Sequence, residues 1–384
     1  MPGTGWNHDG EKLLAGNELG ARGVEEPMRL AMGVSVLALL ATPTAVTPTG
    51  SMSSPRAAHS STLLRSGEVF IAGGCTVDSC ELDRRGAETE LFDPQTGRFR
   101  SGPRLLRERV GHVAVRLPDG RVLIAGGWTG GSRTTATTEL YDPERSSVVA
   151  GPPMKTPRGG FTVTPLGRGR FLFAGGTRGG QVVASAEIFD LASRRFVRTG
   201  SLSTPRLAHS ATRLPGGRVL VAGGSDDNDT VLSSTEIYIP RTGRFSRGPR
   251  MTVPRYKHAA VGLRDGSVLV LGGSNARDFY GRYSSAERYD LRSRRFRRVA
   301  GMAERRFKFP DAVVPFPSGR VVVAGGGTSV ELFDPESKRF RKIGTLGRSL
   351  ASSTATALAD GRVLVAGGYD DRIDVSSSGW LITP

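Results

Sequence analysis

The sequence has 384 residues, with 52 glycines, 23 prolines and a formal charge of +17. That glycine and proline content suits many short strands joined by turns and falls well short of a collagen-like chain. Two cysteines exclude a zinc site built from four. Of the 53 basic residues six are lysines and 47 arginines, a bias that fits GC-rich coding better than arginines placed one by one for phosphate. The basicity therefore permits an acidic partner without naming one.

Residues 1–27 show neither a repeat nor a strand pattern. From Met28 the chain carries Arg29, an apolar run from Leu30 to Ala41 and a small-residue exit through Thr42, Pro43, Thr44 and Ala45. One basic residue before such a run has the form of a secretory signal peptide over 28–45, too short to span a bilayer comfortably. The expectation is a start at Met28 and a secreted, periplasmic or cell-surface protein, with residues 1–27 belonging to an overlong gene reading. Export would favour a disulfide between Cys75 and Cys80; a reducing cytosol would leave two free thiols.

From about residue 46 to the end, one signal recurs. It is a β-branched run stopped by a glycine pair, as in Val69-Phe70-Ile71-Ala72-Gly73-Gly74 and Val122-Leu123-Ile124-Ala125-Gly126-Gly127. Seven pairs, the last at Gly367-Gly368, step by 53, 49, 48, 49, 53 and 42 residues. Each unit opens with Pro-Arg-x-x-His or a variant, followed by a first strand. A two-residue turn such as Asp119-Gly120 leads into the apolar second strand. A loop of variable length follows. The third strand has the form Glu90-Leu91-Phe92-Asp93 and ends in Asx turn chemistry. The fourth carries Phe99, Phe196, Phe245, Phe296 or Phe340, with Val148-Val149 in the second unit. Four antiparallel strands per unit predict propeller blades.

The glycine pair, the Glu-hydrophobic-aromatic-Asp strand and the aromatic fourth strand resemble kelch repeats. The resemblance covers all seven units and implies an all-β, seven-bladed propeller of the galactose-oxidase central-domain type. One departure is Phe where that family usually places Trp on the fourth strand. The last unit stops one strand short at Pro384, while residues 48–56 align with a fourth strand and its exit. Residues near 44–50 are therefore expected to complete the seventh blade.

Two charged columns run through the repeats. The first holds Arg56, Arg109, Arg158, Arg206 and Arg255, then Lys308 and Leu350. The second holds Glu90, Glu139, Glu187, Glu236, Glu287 and Glu331, with Gly379 last. Base and acid disappear together in the seventh unit, which points to one structural ion pair per blade. A third column holds His59, His112, Phe161, His209, His258, Asp311 and Ser353. A metal or anion on the ring axis is one reading; a repeated local hydrogen bond is the other, and repetition in separate blades favours it.

The loops after the glycine pairs hold 15, 11, 10, 11, 13, 4 and 10 residues before the Glu position, so they mark the candidate binding face. Arg277, Phe279, Tyr280, Arg282 and Tyr283, with Trp128 and Tyr369, are the candidate contacts. Arginine beside aromatics suits protein hot spots, sugars or acidic groups. Asp226 to Asp229 and Asp370-Asp371 lack a recognised calcium spacing. Basic runs at 194–198, 292–298 and 338–342 fall on fourth strands, where charge discourages edge association. No nucleic-acid motif accompanies them.

Some kelch-type propellers are copper-radical alcohol oxidases and others sialic acid mutarotases. The oxidase set needs Tyr and His ligands beside a modified cysteine; here Cys75 has Cys80 as a rival partner, and the nearest Tyr–His approach is Tyr256-x-His258. No catalytic motif transfers. The sequence thus reads as an exported, monomeric, non-catalytic propeller for a protein or glycan partner, acidic ones included, with no cofactor, metal or transmembrane span. A carbohydrate-active enzyme is the alternative.

Overall fold

The computed structural model describes residues 45–80, 82–275, 281–316 and 318–383. Seven four-stranded antiparallel sheets form, each in simple meander order. Blade one is built from Ser60–Leu63, Val69–Ala72, Thr89–Asp93 and Arg98–Ser101. The first strands of successive blades touch in sequence, and that of blade seven, Thr354–Ala357, touches that of blade one. The contacts close on themselves, so the first strands ring an axis and the fourth strands form the rim.

Closure uses both ends of the chain. Ala45–Pro48 pairs antiparallel with Gly379–Thr383, in the register Ala45 to Thr383 through Pro48 to Trp380. Blade seven is thus three C-terminal strands plus one N-terminal strand, as the truncated last repeat implied. An open blade would leave Trp380, Leu381 and Ile382 with an unpaired backbone edge.

The second strands are buried on both faces, which is why they read as continuous apolar runs. Phe70 and Ala72 pack with Val122 and Ile124 of the next blade, while Val69 and Ile71 pack with Leu364 and Ala366 of blade seven. The core is therefore a series of interblade layers, and no blade buries its flanks alone. Third- and fourth-strand aromatics meet across the outer hairpin, Phe92 on Phe99 and Phe333 on Phe340 both at 4.8 Å between centroids. Phenylalanine therefore serves at the position where kelch repeats usually place Trp. Five third strands end in an Asp that caps the following turn, as where Asp93 accepts from the Gln95 and Thr96 groups; blades four and seven end in Ile239 and Thr383 instead.

The glycine pair has a steric cause. Gly73 and Gly74 have φ of 67° and 98°, and a Cβ on Gly73 would lie 2.6 Å from the His112 ring and 2.7 Å from the Arg109 carbonyl. The backbone turns left-handed just where the next blade presses closest. One small element was not foreseen, a two-stranded hairpin of Thr177–Arg178 with Gln181–Val182 in the third variable loop.

Candidate functional site

The variable loops and the Arg-x-x-His segments emerge together at one end of the propeller. Each blade contributes one residue in the left-handed region just before its first strand: Ala58, Gly111, Gly160, Ala208, Lys257, Lys308 and Ser352, with φ between 50° and 62°. Their backbones form a closed circle. The Ala58 N–H donates to Ser352, Ser352 to Lys308, Lys308 to Lys257, Lys257 to Ala208, Ala208 to Gly160, Gly160 to Gly111, and Gly111 back to Ala58. These seven bonds fix the mouth of the axis independently of side chains.

Behind that circle, six blades carry the buried ion pair. Arg56 meets Glu90 at 3.1 Å, Arg109 meets Glu139 at 2.5 Å, Arg158 meets Glu187 at 3.1 Å, and Arg206 meets Glu236 at 3.0 Å. Arg255 pairs with Glu287 at 3.0 Å. In blade six the base is Arg306, 2.9 Å from Glu331, and not Lys308 as the repeat spacing indicated. Arg306 lies 19 residues before the glycine carbonyl that it bonds, against 17 in the other blades, so counting back from the glycines stops two residues short, at Lys308. The Phe309 ring, not Asp311, then stands at the histidine position.

Each arginine also donates to the carbonyl of the first glycine in its pair, for example Arg206 to Gly223 at 2.8 Å. Each glutamate accepts a backbone N–H from the preceding blade's exit, as Glu236 does from Ser203 at 2.8 Å. Burial draws the pKa of Arg56, Arg109, Arg158, Arg206 and Arg255 down, opposed by the paired carboxylate. These side chains are buried within the blades.

The histidines bond between blades. His59 meets Thr354, His112 Ser60, His209 Thr162 and His258 Ser210, each through Nε2 at 2.8 to 3.0 Å. Where the preceding blade presents Val113 or Ala259 in place of the hydroxyl, the column holds Phe161 or Phe309, and each packs in a shared apolar cluster with that residue. Burial, with the charge of the neighbouring arginine, pushes His112, His209 and His258 down to about 3 and His59 well below its usual range. Asp311 stands at the head of the innermost region of blade six. It is open to solvent, yet crowding by the surrounding protein raises its carboxyl pKa.

The candidate contacts divide. Arg277, Phe279 and Tyr280 lie outside the described residues. Trp128 is half-buried, its ring lying against Gly111, Gly159 and Gly160 of the circle and its neighbours. Tyr369 is 4% exposed and packs with Ala57, Ala351 and Cys75, whose sulfur is joined to Cys80. Tyr283 stacks on the buried Arg255, with the guanidinium carbon 5.3 Å from the ring centroid. Arg282 reaches past the short sixth loop to Asp371 at 3.4 Å. Two lysines and two aromatics missed in the sequence join this set. Lys257 lies 4.8 Å from the Tyr256 ring and 5.6 Å from Phe307, and Lys308 lies 5.5 Å from both Phe307 and Tyr369.

Neighbouring loops are also stitched sideways. Gly179 donates to Thr134, Val182 to Asp227 and Val375 to Asp78. The acidic runs serve their own turns: Asp226 accepts from Asn228 and Thr230, and Asp370 from Arg372 and Asp374. Among the described residues, no three His, Cys, Asp or Glu side chains gather as a metal set, and no helix is long and apolar enough to cross a membrane.

Seven meander sheets closed on an axis define a β-propeller. Kelch-motif family models match residues 109–155, 206–252 and 255–303, so the seven-bladed propeller carries kelch motifs over those three stretches. A solved structure described as a novel fungal alcohol oxidase of the AA5 family, in complex with copper, superposes with a TM-score of 0.72 at 18% identity. The match covers 89% of this chain and 76% of that one. At that identity the likeness is one of fold. No curated protein matches the sequence.

Proposed function

We propose that the protein is an exported, monomeric, non-catalytic kelch propeller that holds a protein or glycan partner, acidic ones included, against the variable-loop face. The observation that carries this reading is the axial mouth. A hydrogen-bonded circle fixes its shape, the half-buried Trp128 ring lies against it, and Lys257 and Lys308, held over the buried Tyr256 and Phe307 rings, bring positive charge to it. Loops already stitched to one another lose little freedom on binding, which favours affinity. Aromatic faces beside cations suit sugar rings and protein hot spots alike. The bonded pair Cys75–Cys80 agrees with an oxidising compartment, and the leader over 28–45 supplies the route.

Copper chemistry of the kind named for the fungal oxidase does not fit these residues. The four column histidines are turned into interblade bonds and Cys75 is committed to Cys80.

A glycan array and a pull-down from the secreted fraction, comparing the native chain with Trp128→Ala, test the binding face. The expected outcome is a partner whose capture falls at least about tenfold in the variant, as for loss of an aromatic hot spot. Equal capture by both would remove the mouth from the reading. N-terminal sequencing of the mature protein tests export; retention of residues before 28 overturns that part.

A further inference from the structure

The opposite end of the propeller carries the turns between first and second strands, and there the charge is arranged differently. A cavity of about 290 Å³ is lined by Arg65 of blade one, Arg116 of blade two, and Arg168 and Arg170 of blade three. Leu117, Pro118, Pro165 and Phe171 make its apolar wall. No carboxylate lines it. Two nearby acids are engaged elsewhere, Glu68 holding Arg100 at 2.7 Å and Asp119 holding Arg121 at 2.7 Å; Asp190 caps its own turn through Ser193 and also lies across the ladder from Arg170, whose charge it feels.

The Arg65 and Arg116 side chains are fixed without being neutralised. Arg65 donates to the Pro118 carbonyl, and Arg116 donates to the Leu63 carbonyl at 3.0 Å. These bonds run in opposite directions between blades one and two and hold both guanidinium groups at the cavity. Backbone carbonyls orient a guanidinium but leave its charge intact. Four positive groups from three blades therefore converge, with Asp190 offsetting part of the Arg170 charge and no carboxylate in the cavity lining, an arrangement that favours an incoming anion.

We propose that this cavity is a binding site for tetrahedral oxyanion groups, phosphoryl or sulfuryl, carried by a small molecule or by the end of an anionic polymer. Planar guanidinium forks match two oxygens of such a group at once, and the apolar wall lowers the local dielectric behind them. The cavity has room for two or three such groups, at roughly 30 Å³ per water displaced. It lies at the far end of the strands from the variable loops, so it neither depends on the binding reading given above nor fails with it.

Inorganic tripolyphosphate and a sulfated dextran oligosaccharide are the probes, titrated calorimetrically against the full mature chain at fixed ionic strength. The expected result is saturable one-to-one binding of at least one probe. The double variant Arg116→Gln/Arg168→Gln should weaken it about tenfold or more, as for lost charge-assisted bonds. Arg168→Gln alone, where no bond to a carbonyl is disturbed, gives a second reading if the double variant folds poorly. Removing two like charges from the rim, in Arg292→Gln/Arg297→Gln, should change affinity less than twofold. A stronger tripolyphosphate signal assigns a small phosphorylated ligand and a stronger dextran signal a polymer; both support the site. Absence of saturable binding, or equal losses in the cavity and rim variants, overturns it.

Discussion

Blade seven and the other six blades reach the same fold by different means, and the contrast separates what a blade needs from what it merely repeats. Six blades bury an arginine against a glutamate, whereas blade seven has Leu350 and Gly379 at those positions. Leu350 is fully buried in an apolar cluster with Val363, Val365 and Trp380. The space above Gly379 is taken by the Phe99 ring of blade one and the Thr49 hydroxyl, both within about 3 Å of where a Cβ would sit. A propeller blade can therefore dispense with the ion pair when apolar groups fill the volume. What blade seven cannot dispense with is its borrowed strand.

The sharpest way to break this comparison is to remove that strand. A chain beginning at Thr49 loses four ladder positions and the packing of Val46 against its cluster. The expected cost is roughly 3–6 kcal/mol from lost backbone bonds and exposed apolar surface. A urea unfolding midpoint unchanged from the full chain would mean that closure is not what holds the ring.

A step smaller, Arg206→Met leaves Glu236 buried without its partner and should cost about 3–5 kcal/mol. The paired change Arg206→Met/Glu236→Leu, which moves blade four towards the solution of blade seven, should cost less than the single one. If the double variant is the less stable of the two, the apolar alternative belongs to blade seven alone.

The smallest effect lies in the histidine column. In the folded protein His112, His209 and His258 stay neutral down to about pH 3, whereas in the unfolded chain they titrate near 6.5. As pH falls below about 6.5 the unfolded state binds more protons. Stability is thus whole above that value and is lost progressively towards pH 3. Each ring adds up to about 1.4 kcal/mol per pH unit within the window. His258→Phe with Ser210→Ala reproduces the Phe309–Ala259 arrangement, and should melt within about 1 kcal/mol of the native chain near neutral pH. Thermal melts across pH should show its acid limb shallower by one proton; an unchanged limb would mean that His258 is not one of the groups responsible.

Blade number, strand order and ring closure were legible because they rest on local signals: the glycine pair, the turn dipeptides and an incomplete last repeat. The Arg–Glu columns could also be read, since both members vanish together. Blade six escaped because two extra residues between Arg306 and Gly325 shift the register, and Lys308 then occupies the expected position. The histidine bonds escaped for a different reason. Each runs from one repeat to the previous one, so its partner is found by comparing the residue after the histidine across neighbours: Ser60, Thr162, Ser210 and Thr354 against Val113 and Ala259. That signal was present but was not read down the adjacent column. The circle around the axis had no signal of its own, because Ala58, Ala208 and Ser352 give no sign of a left-handed backbone. The arginine-lined cavity was equally hidden, since its residues sit in turns about fifty positions apart that only closure brings side by side.

The circle itself carries a consequence for how such a protein changes over time. Its seven peptide dipoles run head to tail around the opening, so the aperture is set by main chain and does not depend on which residues stand there. Five of its members, with Gly, Ala or Ser, contribute little to the rim, and the two lysines sit on adjacent blades. The entrance is therefore electrically lopsided on a frame of near-sevenfold symmetry. Exchanging one residue per blade could move that lopsidedness around the ring, retuning what is admitted while the frame stays as it is.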